Sequence, residues 1–191
     1  FHFGKDIYMD AKFTELVEQL NGLDFKGMYG SDFLHTWDKT TDELKALYIV
    51  ADALRELREN NVSSKIFDSG LAVSLFRDNS TRTRFSFSKA ANLLGLELQD
   101  LDEKKSQIAH GETVRETATM ISFMADVIGI RDDMYIGKGD AYMAEVSESV
   151  QQAYEDGVLD SPSHAHLPTV RLRSPPRSPL PTCSTSSTSL A

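Results

Sequence analysis

Proline is missing from the first 161 residues of this 191-residue chain, and cysteine from the first 182. The single cysteine, Cys183, excludes an intrachain disulfide and any cysteine-built metal site. No apolar run approaches the ~20 residues that span a bilayer, so no membrane segment is expected. The opening Phe1-His2-Phe3-Gly4-Lys5-Asp6 lacks the apolar core of a secretory signal, and a cytoplasmic setting is the default. Basic residues are also scarce: 20 Lys and Arg against 29 Asp and Glu give a net charge of −9. Only Arg is charged after Asp160, so the acidic excess is concentrated before it. Such a body is unsuited to broad nucleic-acid binding, which needs a basic surface. A small, local anion site is still compatible with it.

The composition changes near residue 160. All six prolines follow it, no glycine occurs after Gly157, and Ser and Thr supply 12 of the last 31 residues. A segment so poor in apolar side chains cannot offset its ordering entropy, so 158–191 is expected to be a disordered or frame-shifted tail. The frame-shift alternative has a concrete form. Codons exist for Pro181–Leu190 that, read in another frame, encode Ala-Asp-Met-Leu-His-Leu-Ile-Asn-Lys-Leu, an amphipathic helix.

Upstream, helix and strand patterns alternate. Residues 8–20 predict a short helix with Phe13, Leu16, Val17 and Leu20 on one side. Thr40-Thr41-Asp42-Glu43 fits a capping box. Leu44, Leu47, Tyr48, Ala51, Leu54 and Leu57 then recur at helical spacing, to about Asn60. Gly70–Phe76 reads as a buried strand, 82–95 as a helix closed by Gly95, and Leu96–Leu101 as a second strand. A helix over Gly111–Met124, a strand over Asp126–Arg131 and a helix over Gly139–Asp156 complete the series. This order predicts an α/β fold: a parallel sheet with flanking helices. The divisions expected are an extension and helix over 1–39, a domain over 40–157 and the tail.

The densest polar stretch is Phe76-Arg77-Asp78-Asn79-Ser80-Thr81-Arg82-Thr83-Arg84-Phe85, where a strand ends and a helix begins. Ligands of parallel sheets bind at such strand ends. The first helical turn offers unpaired N–H groups and the positive end of the helix dipole, which suit phosphate. Ser80, Thr81 and Thr83 add hydroxyls, and Arg82 adds a planar fork for two oxygens. Glycine-rich nucleotide loops are ruled out by the absence of glycine from the turn. Taken singly, Ser80 could merely cap the helix and the arginines could be solvated; five consecutive donors favour a ligand.

Ser80-Thr81-Arg82-Thr83-Arg84 with Phe85-Ser86-Phe87 resembles the carbamoyl phosphate box of the aspartate/ornithine carbamoyltransferase family. Ser106–Thr113 with Glu116-Thr117-Ala118, and the strand Asp126–Arg131, are similar to that family's next loop, helix and strand. The resemblance runs over about 40–157 and lies nearer the ornithine than the aspartate enzymes. The Phe-Arg-Asp-Asn lead-in is similar to a subgroup without an assigned second substrate. The resemblance implies that the chain is the N-terminal half of a carbamoyltransferase. Its substrates would be carbamoyl phosphate and an amino-acid amine, such as ornithine giving citrulline, with no cofactor, no metal and a homotrimeric parent.

It also implies that Ser80, Thr81, Arg82 and Thr83 hold the phosphate. Thr83 and Arg131 would polarise the carbamoyl carbonyl, and Gln107 would reach a neighbouring subunit's site. Arg84 reads as an internal ion-pair residue. The family's following His-Pro-x-Gln segment has only a superficial echo in His166-Leu167-Pro168-Thr169, and its amine-recognising second domain is missing. The expectation is therefore an inactive fragment of an active parent; a non-catalytic phosphate- or partner-binding module is the alternative. Elsewhere, His110 reads as a surface residue, Asp132-Asp133 as turn carboxylates pairing with nearby cations, and Lys104-Lys105 as a solvated loop. Phe33, Leu34 and Trp37 are expected to cluster under the long helix.

Overall fold

The computed structural model describes residues 3–160, except Tyr29, Asp78, Asn79, Lys104 and Lys105. For residues 3–10 and for Val170–Arg171 it gives the backbone alone. The helices are α1 (Phe3–Asn21), α2 (Thr41–Glu59), α3 (Thr81–Leu94), α4 (Val114–Ser122) and α5 (Lys138–Glu155). The strands are β1 (Leu71–Phe76), β2 (Glu97–Asp100), β3 (Val127–Arg131) and the two-residue β4 (Val170–Arg171). All pairings are parallel, in the order β2-β1-β3-β4, as the helix–strand alternation predicts. The tail expected from residue 158 begins with described residues, and Leu159 is buried in the main core rather than disordered. From Ser161 on, apart from Val170–Arg171, the tail with its His166–Thr169 echo and Cys183 lies outside the described residues.

Side-chain alternation along β1 builds the layers. Val73 and Leu75 join Ile128 and Ile130 of β3 against Ala118 and Ile121 of α4 and Met143, Val146 and Val150 of α5. Ala72 faces the other way, toward Ala91 and Phe87 of α3 and Leu96. Burial of side chains such as Leu75, Ile128 and Ile130, all at most 2% exposed, contributes about 1.5–3 kcal/mol each. The helix after β1 thus covers one face of the sheet and the later helices cover the other. Gly129 lets the Phe87 ring sit directly on β3, since a Cβ there would stand 2.6 Å from the ring.

The helix ends follow sequence chemistry. Glu43 N donates to Thr40 Oγ1 at 3.2 Å, and Thr40 N donates to Glu43 Oε2 at 2.7 Å, so the capping box is complete. Gly95 closes α3 in the left-handed conformation at φ 100°. A second capping box, Thr113 with Glu116, starts α4. It shortens the helix expected over 111–124, because Gln107–His110 form a separate 3-10 turn that ends at left-handed Gly111.

Two expectations about packing are corrected. Within α2, Glu43, Ala46 and Glu56 are buried, whereas Leu47 and Tyr48 of the apolar stripe are 42% and 70% exposed. The buried face tilts toward α1, where Lys12 Nζ meets the Glu56 carboxylate. Trp37 does not join Phe33 and Leu34. Phe33 is buried and Leu34 packs on the main core, but Trp37 is carried outward on a 3-10 turn and stacks on His35 at 4.4 Å. Among the described residues no helix is long and apolar enough to cross a membrane.

The α4 cap has a pH signature. Hydrogen bonds from the Thr113 backbone and hydroxyl hold the Glu116 carboxyl below its ordinary value of 4.5. A carboxylate whose folded value is lowered contributes stability above its ordinary value and loses it as pH falls through the lowered one. Glu116→Gln keeps the box without the titrating charge. Its thermal midpoint should therefore fall less steeply than the wild type's on acidification below about pH 4.5. Identical slopes in thermal melts would show that the cap carries no pH dependence.

Candidate functional site

The chain leaves β1 for β2 on one side and returns to β3 on the other, so the crevice between the carboxyl ends of β1 and β3 is a topological switch point. Phe76 and Arg131 are register partners there, and Arg77 N donates to Arg131 O at 3.0 Å. Ser80, four residues beyond the end of β1, is the N-cap of α3. Its Oγ accepts from Thr83 N at 3.4 Å and lies 2.9 Å from Thr83 Oγ1. The amides of Thr81 and Arg82, in the same first turn, have no acceptor within the helix. Thr81 and Arg82 are exposed, whereas Ser80 and Thr83 are half-buried.

Arg131 completes the group. Its guanidinium donates to Thr83 Oγ1 across 48 residues of sequence and to Asp133 Oδ2 at 2.7 Å. The Arg131 side chain is only 12% exposed. Ser80, Thr83 and Arg131 are therefore one hydrogen-bonded cluster, at the mouth of which Thr81 and Arg82 open to solvent. The arrangement offers helix amides, hydroxyls and two guanidinium groups to an anion, with Arg131 set back from the helix terminus. Gln107 stands apart: it is exposed at the start of its 3-10 turn. Among the described residues no hydrogen bond joins its side chain to the cluster.

Arg84, two positions beyond Arg82, turns back toward the end of β1. It donates to both Asp100 oxygens, at 2.7 and 2.5 Å, and to Phe76 O at 2.6 Å. The expected ion pair is present, but with side chains 36% and 48% exposed it lies at the surface rather than inside. Asp132 and Asp133 likewise pair with cations, Arg77 and Arg131. His110 is exposed, and Lys104-Lys105 lie outside the described residues. No group of three His, Cys, Asp or Glu side chains able to hold a metal occurs among the described residues.

Arg77 escaped the sequence reading. Its Nε and Nη2 fork onto Glu103 at 2.9 and 2.7 Å, and its Nη1 reaches Asp132 Oδ2 at 3.0 Å. The guanidinium lies 3.8 Å from the centre of the Tyr142 ring. The available signal was topological. Glu103 follows β2 and Asp132 follows β3, so a parallel sheet places both beside the residue that follows β1. A cleft of about 530 Å³ lined by Lys65, Asp68, Gly70 and Glu97 opens elsewhere, at the amino ends of β1 and β2. It lacks the convergent donors seen at the carboxyl ends.

Comparison with known proteins places the sequence and the fold in a family. Residues 31–158 match the model of the aspartate/ornithine carbamoyltransferase carbamoyl phosphate-binding domain. "Putative carbamoyltransferase YgeW" of Escherichia coli (strain K12) is 61% identical over 146 residues, covering 76% of this chain and 37% of its own length. The chain therefore spans little more than a third of that relative. The catalytic subunit of M. jannaschii aspartate transcarbamoylase superposes with a TM-score of 0.54 at 27% identity, covering 63% of this chain and 38% of that one. Aspartate transcarbamoylase from Trypanosoma cruzi, solved with carbamoyl aspartate and phosphate, shares the fold with a TM-score of 0.57 at 20% identity, covering 65% and 39%. The chain belongs to the aspartate/ornithine carbamoyltransferase family, and residues 31–158 are its carbamoyl phosphate-binding domain.

Proposed function

We propose that the cluster at the β1–β3 switch point binds carbamoyl phosphate, with the phosphate at the α3 terminus and the carbonyl toward Arg131. The observation that carries this reading is the meeting of Arg131 and Thr83, which places a guanidinium and a hydroxyl beside a helix terminus. Ser80, Thr81, Arg82 and Thr83 hold the phosphate oxygens; Thr83 and Arg131 polarise the carbonyl. In the whole protein an amino-acid amine, ornithine-like, attacks the carbonyl carbon. The new C–N bond forms, the C–O bond to phosphate breaks, phosphate carries away the electron pair and the amine loses a proton. Preorganised donors stabilise both the developing oxyanion and the leaving group without a covalent intermediate.

Residues 40–157 would form the binding domain proper, and Gln107, exposed on its turn, is available to a neighbouring copy in a homotrimer. These residues supply the carbamoyl phosphate half of the reaction, and the chain spans 37% of the length of the E. coli relative. The 191-residue chain is accordingly expected to bind without forming citrulline from ornithine.

Isothermal titration with carbamoyl phosphate and with inorganic phosphate tests the assignment. Arg82→Ala should weaken both ligands by about 10-fold or more, the worth of a charge-assisted hydrogen bond. A folded chain that binds neither ligand would instead favour a partner-binding module.

A further inference from the structure

Three loops meet at the carboxyl edge of the sheet, and one side chain touches all of them. Arg77 belongs to the loop after β1, Glu103 to the loop after β2 and Asp132 to the loop after β3. All three guanidinium nitrogens are engaged, two on Glu103 and one on Asp132. One flat face covers Tyr142 of α5. Burial works against the Arg77 charge, but the bonds to Glu103 and Asp132 outweigh it and hold the group above its ordinary value. Burial also pushes the Tyr142 hydroxyl up to about 12.

The contacts bracket Arg131. The Arg77 amide grips the Arg131 carbonyl at 3.0 Å, and the Arg77 guanidinium grips the carboxylate of the next residue, Asp132, which is 7% exposed. The backbone that aims Arg131 at Thr83 is thus fixed by Arg77 through both its main chain and its side chain. Gly139 packs behind the same point, where a Cβ would come within 2.1 Å of Asp132 O.

We propose that Arg77 is a positioning residue: it sets the direction of Arg131, and the preference of the site for carbamoyl phosphate over inorganic phosphate depends on it. This rests on the carbamoyl phosphate reading above. Arg77 itself is spent on Glu103, Asp132 and Tyr142 and does not contact the ligand. Lysine cannot replace it, because one ammonium supplies neither the fork nor the planar face.

The test is titration of the wild-type chain, Arg77→Lys and Asp132→Asn with carbamoyl phosphate and with inorganic phosphate, folding being checked by near-ultraviolet circular dichroism. Both variants should lose about 10-fold or more in carbamoyl phosphate affinity, the scale of an ångström-sized misplacement, and keep inorganic phosphate within about 2-fold. Asp132→Asn leaves Arg77 and its grip on Glu103 in place, so it reports even if Arg77→Lys fails to fold. Equal loss of both anions would make Arg77 a direct anion contact or a general structural prop, and unchanged carbamoyl phosphate binding would remove its role; either overturns the proposal. A wild-type chain that binds neither anion, or both alike, fails at the earlier step, the site reading itself.

Discussion

Arg131→Lys is expected to weaken carbamoyl phosphate binding by about 30-fold while changing inorganic phosphate affinity by less than about 3-fold. Arg131 is nearly enclosed, and its guanidinium spans Thr83 on one side and Asp133 on the other. A planar group with five donors can keep both contacts and still offer an N–H to a carbonyl oxygen; an ammonium at the end of a flexible stem cannot. Loss of one hydrogen bond from a charged group costs about 2 kcal/mol, which is about 30-fold in affinity. On the proposed assignment phosphate alone draws on the α3 terminus and Arg82, so its binding should be largely spared. Titration of both anions against the wild-type and variant chains gives the comparison. Parallel losses would mean that Arg131 contributes only general positive charge.

Gly95→Ala should destabilise the chain by about 3 kcal/mol, read as a lowered midpoint in urea denaturation. Gly95 combines two constraints. Its φ of 100° lies where L side chains are strained. A Cβ would also stand 2.0 Å from the Phe67 carbonyl oxygen, which is backbone and cannot rotate away. The same corner is tied by Ile66 N and Phe67 N, both donating to Leu94 O at 3.1 Å. The segment before β1 and the end of α3 would have to part for the methyl group to fit. Because α3 packs the sheet face through Ala91 and Phe87, that separation would reach the core. An unchanged midpoint would show that the two segments yield at little cost.

The elements of the fold were legible because their signals are local. Thr40 with Glu43, Ser80 before α3 and Gly95 after it each act within a few residues, and the apolar run of β1 is broken only by Ser74. The meeting of Arg131 and Thr83 was legible only through family resemblance, since nothing in the spacing of residues 83 and 131 states which strands are neighbours. Arg77 shows the limit from the other side. Its role depends on Glu103 and Asp132, each in a different loop, and the order β2-β1-β3 is what brings them together. The exposed stripe of α2 has a similar cause. Helical periodicity identified Leu47 and Tyr48 as an apolar face, but the packing of α1 decides which face is covered. Arg82 and Arg84 differ by two positions, about 200° around the helix, so identical residues in one motif turn to solvent and to Asp100.

The order of the strands also sets a timetable for a growing chain. A ribosome adds about 5–20 residues per second, and 48 residues separate Thr83 from Arg131. The α3 terminus with its Ser80 cap can thus exist for about 2–10 s before its arginine has been synthesised. On the proposed assignment, the phosphate side of the site is made first, from neighbours in sequence, and the carbonyl side arrives with β3.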